Sequence, residues 1–189
     1  MTIHDDIHKA LSVLRAGGVI LYPTDTVWGI GCDATSSEAV RRIFEIKRRP
    51  ESKALISLVG SWDMLEQTLG RPVAKDVLDF IASASRPVTV IYENVDGLAP
   101  ELLAADGSAG IRMTGEEFSS RLCQALGHPL VSTSANVSGQ PAPAFFNEIS
   151  PEIIAAVDYV VSYRRDDLTA SAPSMVVKIN GENIDVLRS

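Results

Sequence analysis

Two kinds of apolar pattern alternate along the chain, and this alternation constrains the fold more than any other feature of the sequence. Short runs rich in β-branched residues are typical of buried strands, whereas apolar residues that recur every three or four positions indicate helices packed by one face. The runs predict strands at 19–22, 55–59, 88–92, 109–112, 130–133, 158–161, 175–179 and 184–187. Strands that alternate with helices indicate an α/β domain, and the consecutive strands near the C-terminus favour a sheet of mixed direction.

Helical spacing marks five segments. The first contains Ile3, Ile7, Leu11 and Leu14 and ends at Gly17-Gly18. The second contains Val40, Ile43 and Phe44 and follows a capping box of Thr35 and Glu38. The apolar residues of the other three are Val73, Val77, Phe80 and Ile81; Phe118, Leu122 and Leu126; and Ile153, Ile154 and Val157. The sequence has 189 residues without a break in composition, so we predict one domain over residues 1–189.

Several classes of protein are excluded by what the sequence lacks. It contains neither an apolar run of the roughly 18 residues that a membrane span requires nor a secretory signal, so we expect a cytoplasmic protein without membrane contact. Cys32 and Cys123 cannot form a disulfide framework, and the three histidines are scattered. No metal ligated by the protein is therefore expected.

Positive charge is concentrated in one part of an acidic chain. The net charge is −7, which argues against binding nucleic acid over the whole surface, yet six of the 17 basic residues fall between positions 41 and 53. The stretch from Lys47 to Lys53 is interpreted either as a solvated face or as a polyphosphate site. Lys47 continues the apolar stripe of its helix, so it either marks the boundary between the core and a cleft or extends outward into water.

Two further segments have a structural and a functional interpretation. Ser132 to Gly139 places hydroxyl groups and an amide after a strand, where α/β sheets bind ligands, although such residues also form ordinary turns. Gly29-Ile30-Gly31 matches a dinucleotide fingerprint only loosely, and a tight turn explains both glycines. The sequence contains neither the G-x-S-x-G motif of serine hydrolases nor a P-loop.

Four segments together resemble one family. The sequence Y-P-T-D-T-V-W-G-I-G at 22–31, Lys47-Arg48-Arg49-Pro50, Ser134 to Gly139 and Leu187-Arg188 are similar to motifs of the YrdC/Sua5 family, the threonylcarbamoyl-AMP synthases. This resemblance implies a YrdC-like twisted, open, mixed β-sheet flanked by helices, in the short, single-domain form. It also implies formation of threonylcarbamoyl-AMP and pyrophosphate from L-threonine, bicarbonate and ATP, for the threonylcarbamoyladenosine modification of tRNA next to the anticodon.

The same resemblance implies roles for individual residues. Lys47 and Arg49 would be catalytic, Arg49, Lys53, Ser108, Asn136 and Arg188 would bind ATP, and Thr26, Arg112, Ser134 and Ser174 would bind threonine. Mg²⁺ would be carried with ATP, and the product would pass to a tRNA-modifying transferase complex, with at most weak contact to RNA. Carboxylated threonine is itself the nucleophile, so catalysis would depend on positioning and charge stabilisation.

Two alternatives remain at this point. An RNA-binding module of the same fold would use a basic concave surface, although the net charge of −7 argues against high affinity. A carbamoyl or adenylate transferase acting on a different acid would use the same nucleotide site. Pocket shape distinguishes the second alternative from a threonine enzyme.

Overall fold

The strands of the chain form one mixed sheet. The computed structural model describes residues 2–50, 55–180 and 183–189, and within these ranges nine strands pair in the order β7-β1-β2-β6-β3-β5-β4-β8-β9. The strands are β1 Ile20–Tyr22, β2 Gly29–Gly31, β3 Ile56–Val59, β4 Val88–Tyr92, β5 Ala109–Met113, β6 Leu130–Ser134, β7 Tyr159–Val160, β8 Met175–Asn180 and β9 Asn183–Arg188. The pairs β1–β7, β3–β5 and β4–β8 are parallel and the others are antiparallel, which confirms the predicted mixed sheet.

Helices flank this sheet. They are α1 Ile3–Arg15, α2 Ser37–Lys47, α3 Trp62–Leu69, α4 Lys75–Ser83, α5 Glu117–Leu126 and α6 Pro151–Ala156, with short 3₁₀ turns at Pro100–Leu102 and Phe146–Glu148. The five predicted helices are confirmed. The sequence analysis missed α3, whose ends carry ordinary signals: the Ser61 side chain accepts a hydrogen bond from the Met64 amide, and Gly70 has the left-handed conformation.

The predicted cap of α2 is wrong by one residue. Ser36 is the N-cap, and its side chain accepts a hydrogen bond from the Ala39 amide. The amide and the hydroxyl of Thr35 both donate to Asp33 Oδ1, at 2.8 and 2.7 Å, so Thr35 belongs to the preceding turn. An aspartate can accept hydrogen bonds from the amide and hydroxyl of the residue two positions later, and this local turn competes with the use of that hydroxyl as a helix cap.

The prediction of a tight turn at Gly29-Ile30-Gly31 is also wrong, because these residues form β2 between β1 and β6. A Cβ atom at Gly31 would lie 2.3 Å from the Val131 carbonyl oxygen and 2.6 Å from the Tyr22 ring. Glycine is therefore required here for the close approach of neighbouring groups.

The buried residues form one cluster that includes side chains from α1, α2 and the central strands. Asp6 of α1 is completely buried, and its carboxylate accepts hydrogen bonds from the Tyr159 hydroxyl at 2.5 Å and from the Ser162 and Tyr163 amides at 3.0 and 2.9 Å. These bonds anchor the start of the loop that joins β7 to β8. In the described part of the chain, no helix is long and apolar enough to cross a membrane.

Candidate functional site

A cleft of about 360 Å³ lies beside the ends of β2 and β6. It is lined by Thr24, Thr26, Val27, Gly29, Arg49, Leu55, Ile56, Arg112, Ser132, Thr133, Ser134, Ala142, Pro173, Ser174 and Arg188. Three of these residues are arginines and six carry hydroxyl groups, while none of the described lining residues is an aspartate or a glutamate. The arrangement favours an anionic ligand that also offers hydrogen-bonding groups.

Arg112 of β5 is the most deeply buried cation of the cleft, with 3% of its surface exposed. Its Nη2 atom lies 3.0 Å from Asp25 Oδ1, and its Nε atom is buried without a hydrogen-bond partner among the described residues. Burial lowers the pKa of Arg112 and raises the pKa of the Asp25 carboxyl, although each partner opposes the shift of the other. An oriented guanidinium with an unused donor is well suited to bind a carboxylate.

Asp25 is a residue to which the sequence analysis assigned no role. It lies in the 22–31 motif, but an aspartate between two threonines after a proline is also typical of a turn. Only its ion pair with the distant Arg112 identifies it as part of the site.

Arg188 of β9 reaches the cleft through contacts with Ser174. Its Nη2 atom donates to the Ser174 carbonyl at 2.9 Å and lies 3.2 Å from the Ser174 hydroxyl, while its Nε atom donates to the same carbonyl at 3.2 Å. The Ser174 hydroxyl lies 3.1 Å from the hydroxyl of Thr89, which is opposite Arg112 in the β4–β5 pair. The C-terminal strand is thereby connected to the centre of the sheet at the cleft.

The loop between β1 and β2 brings Thr26 to the cleft. The Thr24 hydroxyl donates to the Val27 carbonyl at 2.7 Å, and the Thr26 amide donates to Thr24 Oγ1 at 3.1 Å, so the loop is held by its own side chains. Ser134 ends β6 opposite Gly29 of β2. Thr26 and Ser134, two of the four predicted threonine ligands, therefore line the same cleft.

The cations at the end of α2 point in three directions. Arg48 has the left-handed conformation, with φ of 48°, and its exposed side chain forms an ion pair with Glu152. Arg49 follows this turn and lines the cleft, where burial lowers its pKa. Lys47 is 1% exposed, and its Nζ atom donates to the Ser134 carbonyl at 2.5 Å and the Asn136 carbonyl at 2.7 Å. The structure thus decides against the outward-pointing interpretation of Lys47.

Burial lowers the pKa of Lys47 to about 8, and the positive charge of Arg49 acts in the same direction. A buried ammonium group loses its proton more easily than one in water, because desolvation disfavours the charged form. Lys47 is not among the residues that line the cleft.

Two other predicted ATP residues, Ser108 and Asn136, are not among the residues that line the cleft. Ser108 precedes β5, and its hydroxyl donates to Asp106 Oδ1 at 2.6 Å. The Asn136 Nδ2 atom donates to the Val137 and Gln140 carbonyls at 3.0 and 2.7 Å, and its Oδ1 atom is buried without a partner among the described residues. Lys53 lies outside the described residues. The predicted roles of these three residues stay predictions.

The structure brings the remaining predicted ligands together. Thr26, Arg49, Arg112, Ser134, Ser174 and Arg188 all line one cleft. They come from distant parts of the sequence, so their convergence in one cleft is independent of their spacing in the chain.

Comparisons with known proteins give a consistent result. The family model for Sua5, YciO and YrdC, described as "Telomere recombination", matches residues 12–189. The threonylcarbamoyl-AMP synthase of Xanthomonas euvesicatoria pv. vesicatoria is 39% identical over 167 residues, which cover 85% of this chain and 87% of that protein. The synthase of Hahella chejuensis is 39% identical over 142 residues, which cover 75% of this chain and 77% of that protein.

Solved structures share the fold. The match to P. abyssi Sua5 complexed with L-threonine has a TM-score of 0.85 at 24% identity and covers 96% of this chain but 53% of the Sua5 chain. E. coli YciO matches with a TM-score of 0.80 at 23% identity, covering 96% of this chain and 87% of that one. The chain therefore spans about half the length of that Sua5 protein and most of YciO.

Proposed function

This chain belongs to the Sua5/YciO/YrdC family, and we propose that it is an L-threonylcarbamoyladenylate synthase. Such an enzyme joins L-threonine, bicarbonate and ATP into threonylcarbamoyl-AMP and releases pyrophosphate. The observation that carries the proposal is the charge of the cleft. Three arginines and six hydroxyl-bearing residues line it without a described carboxylate, in a protein of net charge −7.

Arg112 is the proposed ligand of the threonine carboxylate. Its guanidinium is buried and oriented by Asp25, and its Nε–H is unused among the described groups. The hydroxyls of Thr26, Ser134 and Ser174 lie in the same cleft and can bond the hydroxyl and amino groups of threonine. A charged fork surrounded by small hydroxyl groups suits a small polar amino acid better than an apolar one.

Arg49 is the proposed ligand of the ATP phosphates, with Arg188 as the second arginine for the nucleotide. Mg²⁺ would enter as part of the substrate Mg·ATP. The described lining offers hydroxyl groups but no carboxylate, so phosphate oxygens and water would hold the ion. Lys53 and Ser108 stay candidate ATP ligands. Asn136 would have to use its buried Oδ1 atom, which has no partner among the described residues, because both amide hydrogens are used.

The chemistry requires positioning more than a protein nucleophile. The amino group of threonine attacks bicarbonate, and loss of one water molecule gives N-carboxythreonine. A carboxylate oxygen of this intermediate then attacks the α-phosphorus of ATP as the bond to pyrophosphate breaks. The arginines would orient the two anions against each other and stabilise the charge that develops on the phosphoryl oxygens. The cleft can lower the activation free energy mainly by holding two anions, which repel each other, in the geometry of the reaction.

The product would serve a tRNA-modifying transferase complex that forms threonylcarbamoyladenosine next to the anticodon, and we place this activity in the cytoplasm. The two cysteines are free and buried, which fits a reducing compartment. Direct RNA binding would be weak, because Arg41, Arg42 and Arg48 form ion pairs with Glu101, Asp158 and Glu152, respectively. Cations that are neutralised in this way contribute little to phosphate binding.

Pyrophosphate release from ATP tests the proposal. We expect release only when L-threonine and bicarbonate are both present, and much slower release with L-valine, which lacks the hydroxyl group. Equal turnover with other amino acids would favour the transferase for a different acid. Absence of turnover, together with tRNA binding that persists at moderate salt without ATP, would instead favour the RNA-binding module.

A further inference from the structure

We propose that Lys47 is a positioning residue that couples the two halves of the cleft by fastening the 134–138 segment to the end of α2. This inference rests on the proposed function, because it assigns the threonine half to Ser134 and the ATP half to Arg49. It replaces the catalytic role that the resemblance implies for Lys47.

Three hydrogen bonds join Lys47 to this segment. The Nζ atom donates to the carbonyls of Ser134 and Asn136, at 2.5 and 2.7 Å, and the Lys47 carbonyl accepts from the Ser138 amide at 2.8 Å. One residue therefore holds the segment at three points through its side chain and its backbone. The segment is also tied to the β1–β2 loop, since the Ala135 amide donates to the Trp28 carbonyl at 3.0 Å.

The position of Lys47 in the chain gives these bonds their significance. Arg49 follows two residues later, across the left-handed turn at Arg48, and lines the cleft. Ser134 lines the same cleft on the β6 side. A change in the side chain of Lys47 would therefore alter the positions of both the proposed phosphate ligand Arg49 and the proposed threonine ligand Ser134.

Direct phosphate binding by Lys47 fits the structure poorly. Two of the three protons of its ammonium group are bonded to carbonyl oxygens, and 1% of its surface is exposed. To reach a phosphate in the cleft, the side chain would have to break both bonds and leave the Asn136 carbonyl without this partner. Bonds from a charged donor in a buried place are among the costliest to lose.

The experiment measures L-threonine binding in the absence of ATP by calorimetry. Lys47→Met keeps the length of the side chain but removes its donors, so we expect at least a tenfold loss of threonine affinity together with a higher KM for ATP. Arg49→Met should raise the KM for ATP and leave threonine binding within about twofold. Arg48→Met is the matched control, because Arg48 is adjacent and exposed, and it should change neither constant.

Amide hydrogen exchange provides a second readout that does not depend on substrate. In Lys47→Met the Ser138 amide and its neighbours should exchange at least tenfold faster than in the wild type, while the amides of β5 stay protected. Lys47→Gln, which retains two N–H donors without charge, should recover part of the threonine affinity, and it replaces the Met variant if that variant does not fold.

The outcomes separate this inference from the proposed function. Unchanged threonine binding and unchanged exchange in Lys47→Met, with a higher KM for ATP alone, would overturn the positioning role in favour of direct phosphate contact. If the wild-type protein neither binds threonine nor releases pyrophosphate, the proposed function fails. The exchange measurement would then still decide whether Lys47 holds the segment.

Discussion

Two of the concavities of this protein are each lined by more than one arginine, and they differ in the other charges of their lining. The larger, about 660 Å³, lies beside the end of α1 and is lined by Arg41 and Arg42 together with the carboxylates of Glu38, Glu45 and Asp158. The smaller cleft, about 360 Å³, contains three arginines and no carboxylate among its described lining residues. The charge balance of the lining, and not its volume, therefore makes the smaller cleft the candidate anion site.

The ion pairs of the two regions also differ in their effect on stability. Arg42 binds Asp158 at the surface, where Nη2 and Oδ1 are 2.9 Å apart, and this hydrogen bond lowers the pKa of Asp158. The Arg112–Asp25 pair is buried, and there the pKa of the carboxyl is raised because desolvation outweighs the attraction. The surface pair thus favours the folded state modestly, whereas the buried pair is a cost of the site.

Replacement of Arg49 should have the largest effect. Arg49→Ala removes a preorganised cation from the cleft, so we expect a loss of kcat of about 10²-fold or more with the fold intact. Arg42→Ala is the matched control from the larger concavity, and its kcat should stay within about twofold of the wild type because its partner is Asp158. Pyrophosphate release measures both. Similar losses in the two variants would remove the distinction between the regions.

Asp25→Asn should separate function from stability. Without the carboxylate, Arg112 loses its ion-pair partner, so the KM for threonine should rise about tenfold, which corresponds to about 1.4 kcal/mol of binding free energy. Because the fold raises the pKa of Asp25, the folded state favours the neutral form. The free energy of unfolding at pH 7 should therefore not fall and can increase.

The pH dependence checks the sign of this effect. Between the ordinary pKa of an aspartate and the raised pKa of Asp25, the folded protein binds more protons than the unfolded chain. The wild type should thus lose stability relative to Asp25→Asn as the pH rises through this window. Chemical denaturation across that range measures it, and a large loss of stability in the variant at pH 7 would contradict the interpretation of the buried pair.

Asp158→Asn should have the smallest effect. The pair is exposed, so the loss should be below about 1 kcal/mol in the free energy of unfolding at neutral pH, without a change in activity. Since the pKa of Asp158 is lowered in the folded state, this contribution should be present above pH 4 and disappear as the pH falls through the lowered pKa. A fall in activity would show that the larger concavity also serves the reaction.

Much of the fold could be predicted from local pattern. The structure contains the eight predicted strands and the five predicted helices. They could be predicted because an apolar run or a helical stripe is formed by residues that are close in the sequence. The strand β2 was missed, since a three-residue Gly-Ile-Gly segment becomes a strand only through its neighbours β1 and β6. Strand order depends on pairings between distant residues, so local pattern could not predict it.

The site was less accessible to sequence reasoning. The family resemblance predicted six residues that the fold brings to one cleft, namely Thr26, Arg49, Arg112, Ser134, Ser174 and Arg188. Helical spacing placed Lys47 at the boundary of the core but could not choose between cleft and water, because the carbonyls that bind it belong to a segment almost 90 residues away. The role of Asp25 depends likewise on a distant partner, Arg112.

The connection of β9 to the cleft has a consequence for the synthesis of the protein on the ribosome. Arg188 and Ser174 complete a cleft that begins with Thr26, and β8 joins the sheet by pairing with β4. A nascent chain that has already produced the 22–31 motif therefore lacks a complete cleft until residue 188 has emerged from the exit tunnel. Such long-range pairings form late, so catalytic competence should appear at the end of folding.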